Sequence, residues 1–240
     1  MTPADALAHR TREFTIASIS TSFPSQESLE TLKALAPELE GREALRPLLE
    51  RAGGGLESMR AGYLAIFDSN QDRVPVYETE YGRMRGLSKG KDLADVVGFY
   101  NAFGFELTEE VSAELPDHIA IELEFYALLL YKQSLLLDDP TGTEIVADAR
   151  RKFLQDHLGG FARALALRPR VVADPVLGPL LGWVDQLVTS ECAAEAVTAA
   201  PTDFFPQDDA SEVANCGACV SIPGLEERAK QPPRGPAPRA

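Results

Sequence analysis

The chain has 240 residues, 45% of them hydrophobic and 25% charged, with a formal net charge of −14. That supplies the core of one large domain or two small ones. The acidity argues against nucleic acid or anionic membrane as a partner, leaving a basic partner or simple solubility. Three cysteines make no disulfide framework, and Met1–Asp5 opens no basic-then-apolar leader, so the expectation is a reducing, cytoplasmic setting without a secretory signal.

Leu7, Phe14, Ile16 and Ile19 predict a first helix over 4–20, broken by Phe23-Pro24. Ser25 or Ser28 suits the N-cap of a second, short helix through Leu35, interrupted at Pro37. Residues 42–51 place Leu45, Leu48 and Leu49 on one side of a third segment, before Gly53-Gly54-Gly55 forces a break. Leu56, Met59, Tyr63, Leu64, Ile66 and Phe67 predict an amphipathic helix. Val74–Gly82 alternates, but Pro75 demotes it from strand to extended loop. Arg83, Arg85, Lys89 and Lys91, with two glycines, make 83–91 a basic, mobile loop.

Asp92 is the expected N-cap of a helix from Leu93 to Phe103, with Gly104 as its stop. The longest apolar segment follows, read as a helix that Pro116 opens and Asp138-Asp139-Pro140 ends. It is long enough to cross a membrane, yet Asp117, His118, Glu122, Glu124 and Lys132 lie inside it, so it reads as a soluble core helix. Thr143 is the expected cap of the next helix, to about His157, and Gly159-Gly160 separates it from 161–167. Arg168-Pro169-Arg170 reads as a break, and Asp174-Pro175 as the start of a helix to about Val197. Beyond Ala200 proline accumulates, and the last 15 residues are basic and of low complexity, a disordered composition. The fold class is all-α: seven to ten helices in one domain, 1–200, and a largely irregular Pro-rich tail, 201–240.

His118 with Asp117 and Glu122 has the residue types of an acid/base group, since a carboxylate four residues away can orient an imidazole and raise its pKa. A histidine near a helix start is also commonly structural, and neither a nucleophile elbow nor an HExxH motif accompanies it. Cys216-Gly217-Ala218-Cys219 is a CxxC, half a zinc site or a redox pair; Cys192, His157 or His118 complete it only if the fold brings them close. A metal- or thiol-dependent redox protein using Cys192, Cys216 and Cys219 is therefore the alternative reading. Neither glycine cluster is a phosphate loop, because neither precedes Lys-Ser/Thr. The aromatic residues Tyr63, Phe67, Tyr100, Phe103, Phe125 and Tyr126 read as core or as the lining of a groove. An acidic helical protein with such a groove suits a basic, partly apolar peptide.

Leu115-Pro116-Asp117-His118-Ile119-Ala120-Ile121-Glu122-Leu123-Glu124-Phe125 closely resembles the signature of the TorD/DmsD/NarJ family of molybdoenzyme maturation chaperones. Tyr77-Glu78-Thr79-Glu80-Tyr81 is similar to that family's Tyr-Glu-x-x-Tyr loop, and Asp92–Gly104 to its Asp-x-Ala-Asp-x-x-x-Phe-Tyr-x-Ala-Phe-Gly segment. Order and spacing agree over about residues 5–200. The resemblance implies an all-helical cytoplasmic chaperone, not an enzyme. It would bind the N-terminal, twin-arginine-type leader of the catalytic subunit of a DMSO-reductase-type molybdoenzyme and hold it for molybdenum cofactor insertion and assembly before export. It implies no cofactor of the chaperone's own, no nucleic acid, no stable membrane insertion, and a monomer or dimer. Carried over by position, Asp117 and His118, with Glu122 behind them and Tyr77, Glu78 and Tyr81 beside them, form the peptide-binding region. The Leu-Pro-Asp-His variant and the CxxC tail are similar to the branch serving ethylbenzene, dimethyl sulfide, selenate or chlorate enzymes. On this reading His118 binds peptide and tunes affinity near neutral pH.

Overall fold

A computed structural model describes residues 2–36, 39, 43–69, 73–82, 89–107 and 114–202. Cys216, Cys219, Arg83 and Arg85, and with them the expected CxxC site and most of the basic loop, lie outside the described residues.

The first two helices begin where the sequence supplies a partner for their first free N–H groups. Thr2 and Asp5 form a capping box for α1 (Pro3–Thr21), and Ser25 and Ser28 form one for α2 (Gln26–Leu35). Next come α3 (Arg46–Gly53), α4 (Leu56–Phe67) and α5 (Lys89–Ala102). Gly55 enters α4 at φ 86°, and Gly104 leaves the turn after α5 at φ 63°, both in the left-handed region that favours glycine. The central helix α6 (Ile119–Leu135) is followed by α7 (Pro140–Phe153), a π-helical turn (Leu154–Leu158), α8 (Gly159–Ala166), α9 (Pro169–Ala173) and α10 (Leu177–Ala194). Among the described residues there is no strand, only one isolated antiparallel bridge between Tyr77 and His118. None of the described helices is long and apolar enough to cross a membrane.

α6 is buried almost all round: Leu123, Phe125, Tyr126 and Leu129 are fully enclosed. A helix apolar on every side belongs in the middle of a bundle. α1 lies along it, with the Phe14 ring 4.6 Å from that of Tyr126, α7 packs beside it, and α10, which packs on α1, reaches it through Glu191. A buried ionic knot crosses these four helices. Glu191 of α10 accepts from Arg10 of α1 (2.7 Å), Arg150 of α7 (2.6 Å) and the Tyr126 hydroxyl of α6 (2.9 Å).

Several boundaries differ from those read in the sequence. Pro116 and Asp117 form a turn and His118 is the N-cap, so α6 starts three residues later than Pro116 suggests. Asp139, not Thr143, caps α7, with Pro140 at the first position; Thr143 instead donates its hydroxyl to the Leu136 carbonyl (2.6 Å). Asp92 lies inside the first turn of α5 rather than capping it. Pro169 opens a short helix, and Asp174 caps the start of α10 from outside by accepting from the N–H groups of Val176 and Leu177. Gly159-Gly160 is no break at all. Both residues are helical, and a Cβ at Gly160 would come 2.3 Å from the Ala200 carbonyl oxygen. The glycines let the 199–202 segment lie against the helix.

Candidate functional site

The site is built by fastening one loop to the start of α6. Pro75 has no N–H, so its neighbours carry the pairing: Ile119 N–H donates to the Val76 carbonyl and Glu78 N–H to that of Asp117, both at 2.9 Å. Asp117 is 0% exposed, and its Oδ2 accepts from the Thr79 N–H (2.9 Å) and hydroxyl (2.7 Å). The Tyr81 hydroxyl donates to the Pro75 carbonyl (2.7 Å) and the Tyr100 hydroxyl to the Pro116 carbonyl (2.8 Å). Loop 75–81, the 115–118 turn and α5 are thereby locked together.

His118 is 2% exposed, and its Nδ1 accepts the Ala120 N–H at 3.1 Å. An accepting Nδ1 places the proton on Nε2, which therefore donates to the Tyr63 hydroxyl 3.2 Å away. Burial lowers the His118 pKa to about 4, against the pull of Glu114 and Asp117. The imidazole is thus a neutral cap. The expectation that it titrates near neutral pH is corrected: removal from water disfavours the imidazolium. The Tyr77 ring stands edge-on to His118 at 5.4 Å, and its hydroxyl donates to Glu114.

Glu122 is 0% exposed, and neither carboxyl oxygen has a hydrogen bond of ordinary geometry. Burial, with Glu78 and Asp117 facing it, pushes its pKa well above the usual carboxyl range and favours the protonated form. Glu78 accepts from Nδ1 of His157 (3.1 Å), and the other ring nitrogen of His157 is 3.4 Å from Asp95 on α5. Burial works against a charge on His157, but Glu78 and Asp95 outweigh it and its pKa is raised.

Asp117, His118, Glu122, Tyr77 and Glu78 therefore meet at one place. Tyr81 belongs to the same loop, but its hydroxyl is occupied by Pro75 and its ring packs on Phe161 (5.2 Å). Of the six, only Tyr77 and Glu78 are part-exposed. Sequence reasoning missed Tyr63 as the partner of His118, and saw His157 only as a spare metal ligand. No local signal marks either, because each reaches the site across 55 and 79 positions respectively. Tyr63 also forms one wall of an apolar cleft floored by Ile19, Leu29, Leu32, Met59 and Leu177. Cys192 is buried, and among the described residues no cluster of three or more His, Cys, Asp or Glu could hold a metal ion.

Residues 26–166 match the family model for the nitrate reductase delta subunit. Over 144 residues the chain is 32% identical to the selenate reductase assembly chaperone protein of Thauera selenatis, a match spanning 58% of this chain and 73% of that one. Over 109 residues it is 31% identical to the chlorate reductase assembly chaperone protein of Ideonella dechloratans, spanning 45% of this chain and 55% of that one. The crystal structure of a candidate redox enzyme maturation protein from Archaeoglobus fulgidus superposes with a TM-score of 0.49 at 20% identity, covering 75% of this chain and 93% of that one.

Proposed function

Since this chain belongs to the nitrate reductase delta subunit family, we propose that it is an assembly chaperone for a molybdoenzyme. It binds the N-terminal, twin-arginine-type leader of the catalytic subunit in the cytoplasm and holds that subunit for cofactor insertion. It catalyses no reaction of its own. The observation that supports this reading is the convergence of residues 77–81, Asp95 and the 115–122 turn on a single knot. A knot of that kind sets the pose of a surface loop rather than making a nucleophile or a proton shuttle: the His118 imidazole is neutral with both ring nitrogens engaged, and the His157 ring is held between Glu78 and Asp95.

Within this reading the six residues divide by job. Tyr77 and Glu78 meet the leader, and Glu78 supplies a carboxylate that a guanidinium can grip. Asp117, His118 and Glu122 position them from beneath, and Tyr81 braces their loop through the Pro75 carbonyl.

Calorimetric titration with the client's leader peptide tests the proposal. Wild type binds, and Glu78→Ala weakens binding by about tenfold or more, the loss of one charge-assisted contact. Asp117→Ala with His118→Ala releases the loop and weakens binding further, with thermal melts run alongside to show that the bundle persists. No binding by wild type, or undiminished binding by the double variant, overturns the assignment.

A further inference from the structure

The apolar cleft carries a charge pattern opposite to that of the knot. It lies where the end of α1 meets α2, α3, α4 and the first residue of α10, with Leu48 joining the apolar floor. Two of its lining groups lack partners. Ser20 is 7% exposed, and its hydroxyl makes no hydrogen bond. Arg51 is half-buried and makes no ion pair with any described residue, although its neighbours Arg46 and Arg60 meet Glu43 (3.1 Å) and Glu57 (3.6 Å). In a chain with 37 acidic residues against 23 lysines and arginines, a guanidinium left without an acid stands out.

Arg51 is also seated. Its guanidinium lies over Gly62, where a Cβ would come 2.2 Å from Nη1 and 2.9 Å from Cζ. Glycine at this position of α4 makes room for the cation beside the cleft. A buried hydroxyl without a partner and a half-buried cation without a counter-ion both carry a desolvation penalty that a complementary ligand removes.

We propose that this cleft docks an apolar peptide segment of a partner protein that bears a carboxylate beside its apolar residues, with Arg51 as the selecting charge. A peptide is favoured over a hydrocarbon chain because its backbone carbonyls give the Ser20 hydroxyl an acceptor, whereas a lipid tail would leave it unpaired. This goes beyond the proposed function: arginines of a leader call for carboxylates, and the cleft presents the reverse. Tyr63 joins the two places, its ring on the cleft and its hydroxyl on His118.

The test uses the full chain and three labelled, end-blocked hexapeptides, Ala-Leu-Ile-Leu-X-Ala, with glutamate, glutamine or lysine at X. The glutamate peptide binds about tenfold tighter than the glutamine peptide, and the lysine peptide binds weakest. Arg51→Gln brings the glutamate peptide down to the glutamine peptide and leaves the latter unchanged. Arg51→Glu reverses the order in favour of lysine, which a merely structural arginine would not do. Gly62→Ala pushes the guanidinium off its seat and shrinks the preference without altering any charge. Three peptides that bind alike or not at all overturn the proposal, as does an Arg51→Gln variant that weakens all three equally. Binding of octanoate without binding of the glutamate peptide overturns it too, in favour of a lipid site.

Discussion

Glu122 is a buried carboxyl surrounded by other acids, and that sets the sign of a pH effect. In the unfolded chain it ionises near its ordinary value, while in the fold burial, Glu78 and Asp117 keep it protonated far above that. Above about pH 4.5 the unfolded state therefore binds fewer protons at this position, so stability falls as pH rises towards the raised folded value. Glu122→Gln keeps the shape and removes the titration. Its gain over wild type in urea denaturation grows as pH rises above about 4.5; a gain that shrinks with pH contradicts this account. At the same scale, Asp117 and His118 were legible as important from the motif that they sit in. Their jobs were not. An acid–imidazole pair reads equally as catalyst, ligand or brace, and only burial and the long-range partners Thr79 and Tyr63 decide.

Helices with a capping box, such as α1 and α2, were readable because their signals are local. The Gly159-Gly160 pair was misread for a physical reason. A glycine that ends a helix and one that lets another segment approach look alike in sequence; here the partner is the 199–202 segment, some 40 positions away. Gly160→Ala therefore behaves as overpacking rather than as a helix-propensity gain, lowering stability by about 1–3 kcal/mol in a denaturant titration. An increase would mean that the 199–202 segment yields at no cost. The π-helical turn at Leu154–Leu158 was equally invisible, although it carries His157 to Glu78 and Asp95.

Across the whole molecule, the all-α class was legible from helical periodicity and from the lack of alternating strands. The ionic knot at Glu191 was not, since its members are scattered over α1, α6, α7 and α10. Removing one side of such a knot leaves buried charge behind. Glu191→Met takes one of the two carboxylates from Arg150, which is 4% exposed and keeps only Glu195 (2.9 Å), and costs about 1.5–3 kcal/mol. Glu191→Met with Arg150→Met is less damaging than Glu191→Met alone, because two apolar residues strand less charge. Denaturation of the single and double variants checks this order, and an additive double loss refutes it.

The same knot bears on how the protein is born. Arg10 leaves the ribosome 181 residues before the acid that it grips. At about 5–20 residues per second, the interval is roughly 10–35 seconds. Through it α1 waits with Phe14, Ile16 and Ala17 uncovered, first for α6 and then for α10. On the proposed function, a protein that shelters another's unfinished subunit itself carries, while being made, a helix whose apolar side waits for cover.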